Sequence, residues 1–418
     1  MKKLLSPEFQ NNLWMLIATL MFAPFSAIMV LITTRLIGLE TAGMMQYAVA
    51  VTAILVQIVL FSTNQIQMVD VREQYCFRTY LGFRTLTAAF ASLILILFFL
   101  VAGFEQNQAI IILLYFFIFL TDGYANVFMT DFHQKGKVRI MGRMRASGFA
   151  GVLVAFFITV SITHNVILSL LAAGILLLII YIMWIWFYRK NFGAVRVKYD
   201  FHAIKRLGFA VTPILVLTFA MNFLIAAPSI YLGEFDTIDM VAILAMLLAP
   251  AQLFMVLVHA LALGSPVPET SDAYTSGELV RFKRRIHAKL LFAFGMAIPF
   301  VAFTYFFGVP ILSWLYDTDL SPYIRHLVIT SVGGIFMTAT PIIGLSLIIM
   351  QTQKQYMYAY IAVSLITGPL VAVLVWLHGL YGAVFSNLIV FAPMSILLYI
   401  VFRYMLRREM LRSSQLSE

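Results

Sequence analysis

A chain of 418 residues that is 62% hydrophobic and 11% charged, with a mean hydropathy of +0.95, does not belong to the water-soluble globular class, in which about 25% of residues are charged. Its net charge of +10 does not require a nucleic-acid partner, because membrane topology accounts for an excess of Lys and Arg. One cysteine, Cys76, excludes an internal disulfide framework.

Repeated apolar runs of about 20 residues predict an all-α polytopic membrane protein, and the short alternating segments of a β-barrel are missing. Twelve transmembrane helices are expected, at roughly 13–34, 43–68, 85–103, 109–130, 147–163, 166–188, 207–232, 240–264, 290–312, 326–350, 356–376 and 383–402. The first follows "MKKLLSPEFQNN" and is too long for a signal-peptide core, so it reads as an uncleaved span. Connections at 104–108, 164–165 and 377–382 are tight turns, which makes their flanking spans helical hairpins.

The basic residues orient this chain. With a cytoplasmic N-terminus, the even-numbered loops and the tail collect 26 of the 28 Lys and Arg residues, from Lys2 and Lys3 through to Arg412. Only Arg35 and Arg325 fall outside, and the outer loop "GEFDTID" (233–239) is purely acidic. One missed span would scramble this alternation, so both termini are expected to be cytoplasmic. The longest break, "RKNFGAVRVKYDFHAIKR" (189–206), is expected to be a cytoplasmic linker. It separates an N-terminal six-helix half (1–188) from a C-terminal six-helix half (207–402), which is followed by a basic cytoplasmic tail (403–418). Pro24 and Pro213 are expected to interrupt the first span of each half.

Enzyme chemistry has little to stand on. No paired carboxylates, metal-ligand spacing, Gly-rich phosphate loop or Ser/His/Asp arrangement stands out, and the seven histidines are scattered. No selectivity-filter motif suggests a channel. No cofactor or metal is expected. Two halves with a site between them are a recurrent transporter plan.

Particular segments carry a resemblance. "LITTRLIGLETAGMMQYA" (31–48) resembles the first hairpin of polysaccharide transporters in the MOP exporter superfamily, whose relatives include multidrug and toxic compound extrusion exporters and lipid II flippases. "TDGYANVFMTDFHQKGKVRIMGRMRASG" (121–148) resembles the fourth-span exit and next cytoplasmic loop of a bacterial polysaccharide-biosynthesis branch. There an acid precedes Phe-x-Gln-x-Gly-(Lys/Arg), here "FHQKGK" with His133 in the variable slot. "GSPVPETSDAYTSGELVRFKRRI" (264–286) and "GLYGAVFSN" (379–387) are similar to the eighth-to-ninth-span loop and the approach to the last span. The resemblance implies a MOP/MATE-like fold in a bacterial cytoplasmic membrane. It implies a flippase that moves a polyprenyl-pyrophosphate-linked oligosaccharide for surface polysaccharide biosynthesis, with membrane lipids around it and glycosyltransferases and a polymerase of the same pathway as partners. A cation-coupled multidrug exporter is the alternative, and a membrane glycosyltransferase or polymerase the less favoured one.

Candidate site residues follow from charge placed against topology. Asp122 is the one acid of 18 that no loop or span end accounts for; a carboxylate at that depth faces a bundle interior or a wet cavity. It either couples transport to protonation or fixes helix packing, with Asn126 one turn below as its companion. Arg84, Arg143 and Arg145 lie near the cytoplasmic mouth and are candidates to recruit phosphates, although topology alone also places basic residues there. Arg35 is the first-half base on the outer side and a candidate to receive the pyrophosphate after inversion. Tyr47 and Tyr124 are candidates to stack sugars. The spans so delimited hold no Lys or Arg at mid-depth, which departs from some lipid II flippases. His259 reads as a packing histidine, and 277–292 as an interfacial helix with Leu279, Phe282, Ile286 and Leu290 on one face.

Overall fold

The computed structural model describes residues 7–70, 74–192, 199–263 and 267–415. Lys2, Lys3, Arg72, Arg196, Lys198 and the centre of the expected 189–206 linker lie outside them, as do residues 264–266 of the loop motif. The described chain is helical throughout. It forms two compact units, Met1–Ala226 and Ala227–Glu418.

The first unit opens with α1 (Pro7–Phe22) and α2 (Phe25–Leu36), followed by α3 (Leu39–Leu60) and the short α4 (Thr63–Val69). Then come α5 (Phe77–Ala102), α6 (Gln106–Gln134), α7 (Val138–Thr163) and α8 (Val166–Phe192), and α9 (Phe201–Phe235) starts here. The second unit holds the end of α9 and α10 (Ile238–Leu263), α11 (Val267–Thr275) and α12 (Leu279–Phe303). A π-turn at Thr304–Gly308 joins α12 to α13 (Val309–Tyr316), and α14 (Ile324–Ile349) and α15 (Gln353–Gln415) close the chain.

Ten of these helical stretches are long and apolar enough to cross a membrane, and the α1–α2 pair, bent by 43°, makes an eleventh. α15 is two helices run together across Gly379, whose φ of 52° and ψ of −129° suit only a residue without Cβ. A methyl group there would also strike the Asp236 carboxylate. With α15 counted as a hairpin, the described residues agree with twelve crossings.

Helix boundaries differ from the hydropathy pattern in an instructive way. α5 starts at Phe77 and α7 at Val138, each about two turns earlier than the apolar runs suggest, because backbone hydrogen bonding continues through charged residues that a hydropathy window rejects. The expected interfacial helix at 277–292 is instead the first half of α12, with Phe282 and Ile286 fully buried. The separate amphipathic helix is α11, whose Tyr274 ring meets Phe282 at 5.3 Å. Pro24 breaks the first span as expected, having no N–H to continue it. Pro213 does not: α9 runs unbroken through it.

Small residues set the approach of helices in the first unit, as expected where lipid removes the hydrophobic drive between them. A Cβ on Gly123 of α6 would come within 2.8 Å of Val59 on α3, and one on Gly142 of α7 within 2.8 Å of the Trp14 backbone on α1. In the second unit Gly334 of α14 lies as tightly on Ala251 of α10, where a Cβ would be 2.7 Å away. Beside that contact the His259 ring bonds the Thr338 carbonyl at 3.0 Å, the packing role expected of it.

Candidate functional site

Asp122 lies in α6, sixteen residues past Gln106 and twelve before Gln134, well inside the helix. Its carboxylate is buried. One oxygen accepts a hydrogen bond from the Tyr181 hydroxyl of α8 at 2.8 Å. The other faces the Arg145 guanidinium of α7 at 3.7 Å. Three neighbouring helices thus converge on one acid. The approach of Tyr181 depends on Gly148, where a Cβ would come within 2.6 Å of the tyrosine oxygen and 2.7 Å of its ring.

Arg145 is less enclosed than its partner, with 24% of its side chain exposed against 7% for Asp122. Its guanidinium carbon stacks 4.1 Å from the centre of the Phe22 ring. Phe22 is the last residue of α1, so the break at Pro24 sets where this ring sits. Phe22 and Phe25 both meet Phe149 edge-on with ring centres 4.9 Å apart, which builds an aromatic wall beside the charge. Arg145 also lines a cavity of about 70 Å³ between α1 and α7, with Met15, Thr19 and Met141 among its neighbours. That is room for water-sized groups. The guanidinium is therefore the reachable member of the pair.

Arg84 sits seven residues into α5, as Arg145 does in α7, so both arginines lie within helices and not at their mouths. Only 1% of Arg84 is exposed. Its guanidinium donates to the Val59 carbonyl at the end of α3 and to the Thr63 hydroxyl of α4 at 2.9 Å. The Thr87 hydroxyl shares the Val59 carbonyl at 2.8 Å. These bonds fasten α5 across the break after Leu60, where Phe61 and Ser62 adopt positive φ and the α3 carbonyls need donors. The expectation that Arg84 recruits phosphate at the cytoplasmic mouth is therefore corrected: burial keeps it from solvent, and its two terminal nitrogens are bonded to α3 and α4. Arg84 still lies within electrostatic range of Asp122. The cluster carries two guanidinium groups against one carboxylate.

The other expected residues do not join this cluster. Asn126 is buried one turn on, and its backbone carbonyl accepts the Thr130 hydroxyl at 2.6 Å. Arg143 is exposed and lies over the Trp14 ring at 5.0 Å, a surface anchor between α7 and α1. Arg35 is exposed in the last turn of α2, where a cation suits the helix dipole. Tyr47 is fully buried against Phe104 with ring centres 5.7 Å apart, so it has no free face for a sugar. Tyr124 is half-buried.

Sequence reasoning missed Tyr181, although it is the lone hydroxyl between Ser169 and Tyr188. It also missed a second carboxylate cluster nearer the end of α6. Asp131 there is buried, pairs with Lys135 at 2.6 Å and accepts the Tyr188 hydroxyl at 2.7 Å. Asp70 caps the turn before α5 by accepting the backbone N–H groups of Gln74 and Tyr75 and the hydroxyl of Tyr80.

No protein-family model matches this sequence, and no curated protein is similar to it. Solved structures are similar in fold. One is a lipid II flippase, MurJ, in an inward closed conformation, at TM-score 0.71 and 12% identity over 94% of this chain and 90% of that one. Another is an inward-facing multidrug resistance MATE family transporter of the MOP superfamily, at TM-score 0.68 and 12% identity over 94% and 96%. A third is the Vibrio cholerae MATE transporter VcmN in a bent form, at TM-score 0.60 and 16% identity over 96% and 97%. The chain is a multi-pass membrane protein with the helical fold of MOP-superfamily transporters, matched along nearly its whole length to both drug exporters and a lipid II flippase.

Proposed function

We propose that this protein is a non-enzymatic flippase that carries a polyprenyl-pyrophosphate-linked oligosaccharide from the inner to the outer leaflet of a bacterial cytoplasmic membrane. The fold likeness applies equally to drug export and to lipid flipping, so the choice between them rests on the site. The observation that carries this reading is the sign of the accessible charge. Asp122 is capped by Tyr181 and turned toward Arg145, whereas Arg145 reaches a cavity. With Arg84 counted, the cluster holds one positive charge in excess. A buried surplus cation favours an anionic ligand, because the ligand's charge relieves an uncompensated one. Cationic amphipathic drugs would need the reverse, an acid as the exposed member.

In this reading the two six-helix halves alternate access, Arg145 takes a phosphate oxygen as the headgroup enters, and Asp122 takes Arg145 back as it leaves. Guanidinium suits such an exchange, since its planar fork fits carboxylate and phosphate alike. Tyr124 remains a candidate sugar contact, Arg35 a candidate receiver of the pyrophosphate on the outer side, and Asn126 a polar neighbour on the Asp122 face.

Deleting the gene tests the reading. Surface polysaccharide should be lost, its lipid-linked precursor should accumulate on the inner face, and the wild-type gene should restore export. Normal export from a deletion strain that has no second transporter would end the proposal. Drug resistance conferred by overexpression, and lost with Asp122→Asn, would move the protein to the multidrug class.

A further inference from the structure

We propose that the second unit holds a binding site for an anionic phospholipid of the leaflet on the basic side, separate from the Asp122 cluster. A groove of about 690 Å³ runs between α12, α14 and the second helix of α15, within the usual range for a ligand site of about 300–1,000 Å³. Leu291, Phe294, Phe336, Ile343 and Ile396 are among the side chains that wall it with carbon. Ser395, the polar residue along its length, is internally satisfied: its hydroxyl bonds the Phe336 carbonyl and the Thr340 hydroxyl, each at 2.9 Å.

Polarity is gathered at one end, where Arg284, His287 and Tyr399 line the mouth. The His287 ring bridges the Lys283 carbonyl and the Tyr399 hydroxyl, both at 2.8 Å, and so holds a rigid polar sill. Arg403, one turn beyond Tyr399, donates to the same hydroxyl at 3.5 Å. Arg284 is exposed and has no ion-pair partner among the described residues. Two guanidinium groups therefore border the sill, and among the described residues no acid forms an ion pair with Arg284.

Length identifies the occupant. From Arg284 to Phe294 is ten residues of continuous helix, about 15 Å of rise. That is half of a hydrocarbon core about 30 Å thick, the depth of one leaflet. A cationic mouth at the basic side of the membrane, with one leaflet's depth of carbon behind it, matches a phosphate headgroup with its acyl chain. A headgroup without net charge gains less from the mouth than an anionic one, and a soluble phosphate gains nothing from the groove.

The test uses the purified full-length chain in neutral detergent, with phosphatidylglycerol and phosphatidylcholine as probes, bound lipid counted by native mass spectrometry and melting followed in parallel. Phosphatidylglycerol should bind the wild type and raise its melting temperature, whereas phosphatidylcholine at the same mole fraction should do so about tenfold less effectively, because its choline cation offsets the phosphate's charge and is repelled by the two guanidinium groups. Arg284→Gln with Arg403→Gln should abolish that preference, and Ile396→Trp, which fills the groove, should remove tight binding of either lipid. Equal retention of the two lipids by the wild type overturns the proposal, whether or not the variants fold. An unchanged preference in the arginine variant also overturns it. So does undecaprenyl phosphate displacing phosphatidylglycerol at equimolar concentration, which would give the groove to a polyprenyl chain instead.

Discussion

Replacing Asp122 by Asn and Arg145 by Gln, singly and together, tests whether the two side chains act as one unit. At 3.7 Å and an effective dielectric constant of about 20, opposite unit charges attract by roughly 4 kcal/mol before desolvation is counted. The single variants should differ, because the partners are buried unequally. Arg145→Gln leaves a 7%-exposed carboxylate with the Tyr181 hydroxyl as its remaining direct donor, a cost of about 3–5 kcal/mol for an orphaned buried charge. Arg84 cannot swing across to compensate, since its guanidinium is bonded to Val59 and Thr63. Asp122→Asn leaves a guanidinium whose 24% exposure and long stem let it reach the cavity, so about 1–2 kcal/mol is expected, between the exposed and buried cases. The double variant should lose less than the sum of the two by about 0.5–3 kcal/mol, the usual range for groups in contact. Thermal unfolding of the purified proteins gives the order and the coupling, and complementation of a deletion strain gives transport. Additive losses, or Asp122→Asn proving the costlier change, would refute the pairing and the argument from unequal burial together.

Other outcomes follow from the same geometry. Tyr181→Phe should cost about 1.5–3 kcal/mol of stability, as a bond to a charged group does, and should weaken complementation of a deletion strain; Gly148→Ala should weaken it likewise by pushing the ring off Asp122, and full complementation by Gly148→Ala would dismiss this positioning role. Arg84→Met should halve protein abundance or worse while Arg143→Met leaves it near wild type, as western blots of membranes would show, since the first holds α5 to α3 and the second lies on the surface. Gly379→Ala should destabilise the hairpin by at least about 1–2 kcal/mol, because an L-residue is strained at that backbone geometry; unchanged melting would mean that the kink is not required.

What the sequence disclosed, and what it hid, has one physical cause. Spans were legible because the bilayer excludes charge over a length that few alternatives satisfy, so apolar runs stand apart from charged loops down the chain. Asp122 was legible for the same reason, as a charge where none belonged. Its partner was not. Arg145 belongs to "VRIMGRMR", which a hydropathy window assigns to a loop, yet the α7 backbone is already hydrogen-bonded from Val138 and carries Arg145 inward on the helix face that meets Asp122. Arg84 was displaced from its true setting in the same way, and so was the basic stretch that became the first half of α12. Tyr181 gave a fainter signal of the same kind as Asp122, one hydroxyl alone in an apolar run. Pro213 misled in the opposite direction, because neighbouring groups in a membrane helix can satisfy the carbonyl that a proline frees.

The fold is one shared by transporters of different cargoes, and the proposed function rests on charge. Drug exporters and a lipid II flippase share this helical arrangement, so nothing in the arrangement itself selects a substrate. Selection has to come from groups that the arrangement leaves reachable. The two buried acids of α6 are not among them: Asp122 faces Tyr181 and Arg145, and Asp131 faces Tyr188 and Lys135, so each of these carboxylates already has a hydroxyl and a cation. Nor is Arg84, whose donors close the gap between α3 and α4. Within the Asp122 cluster Arg145 is left, attached to its acid at a distance too long for a tight ion pair and stacked on a ring that holds it in place without neutralising it. A cation so placed can exchange a carboxylate for a phosphate at little cost in geometry, which is the physical argument behind the proposed anionic headgroup.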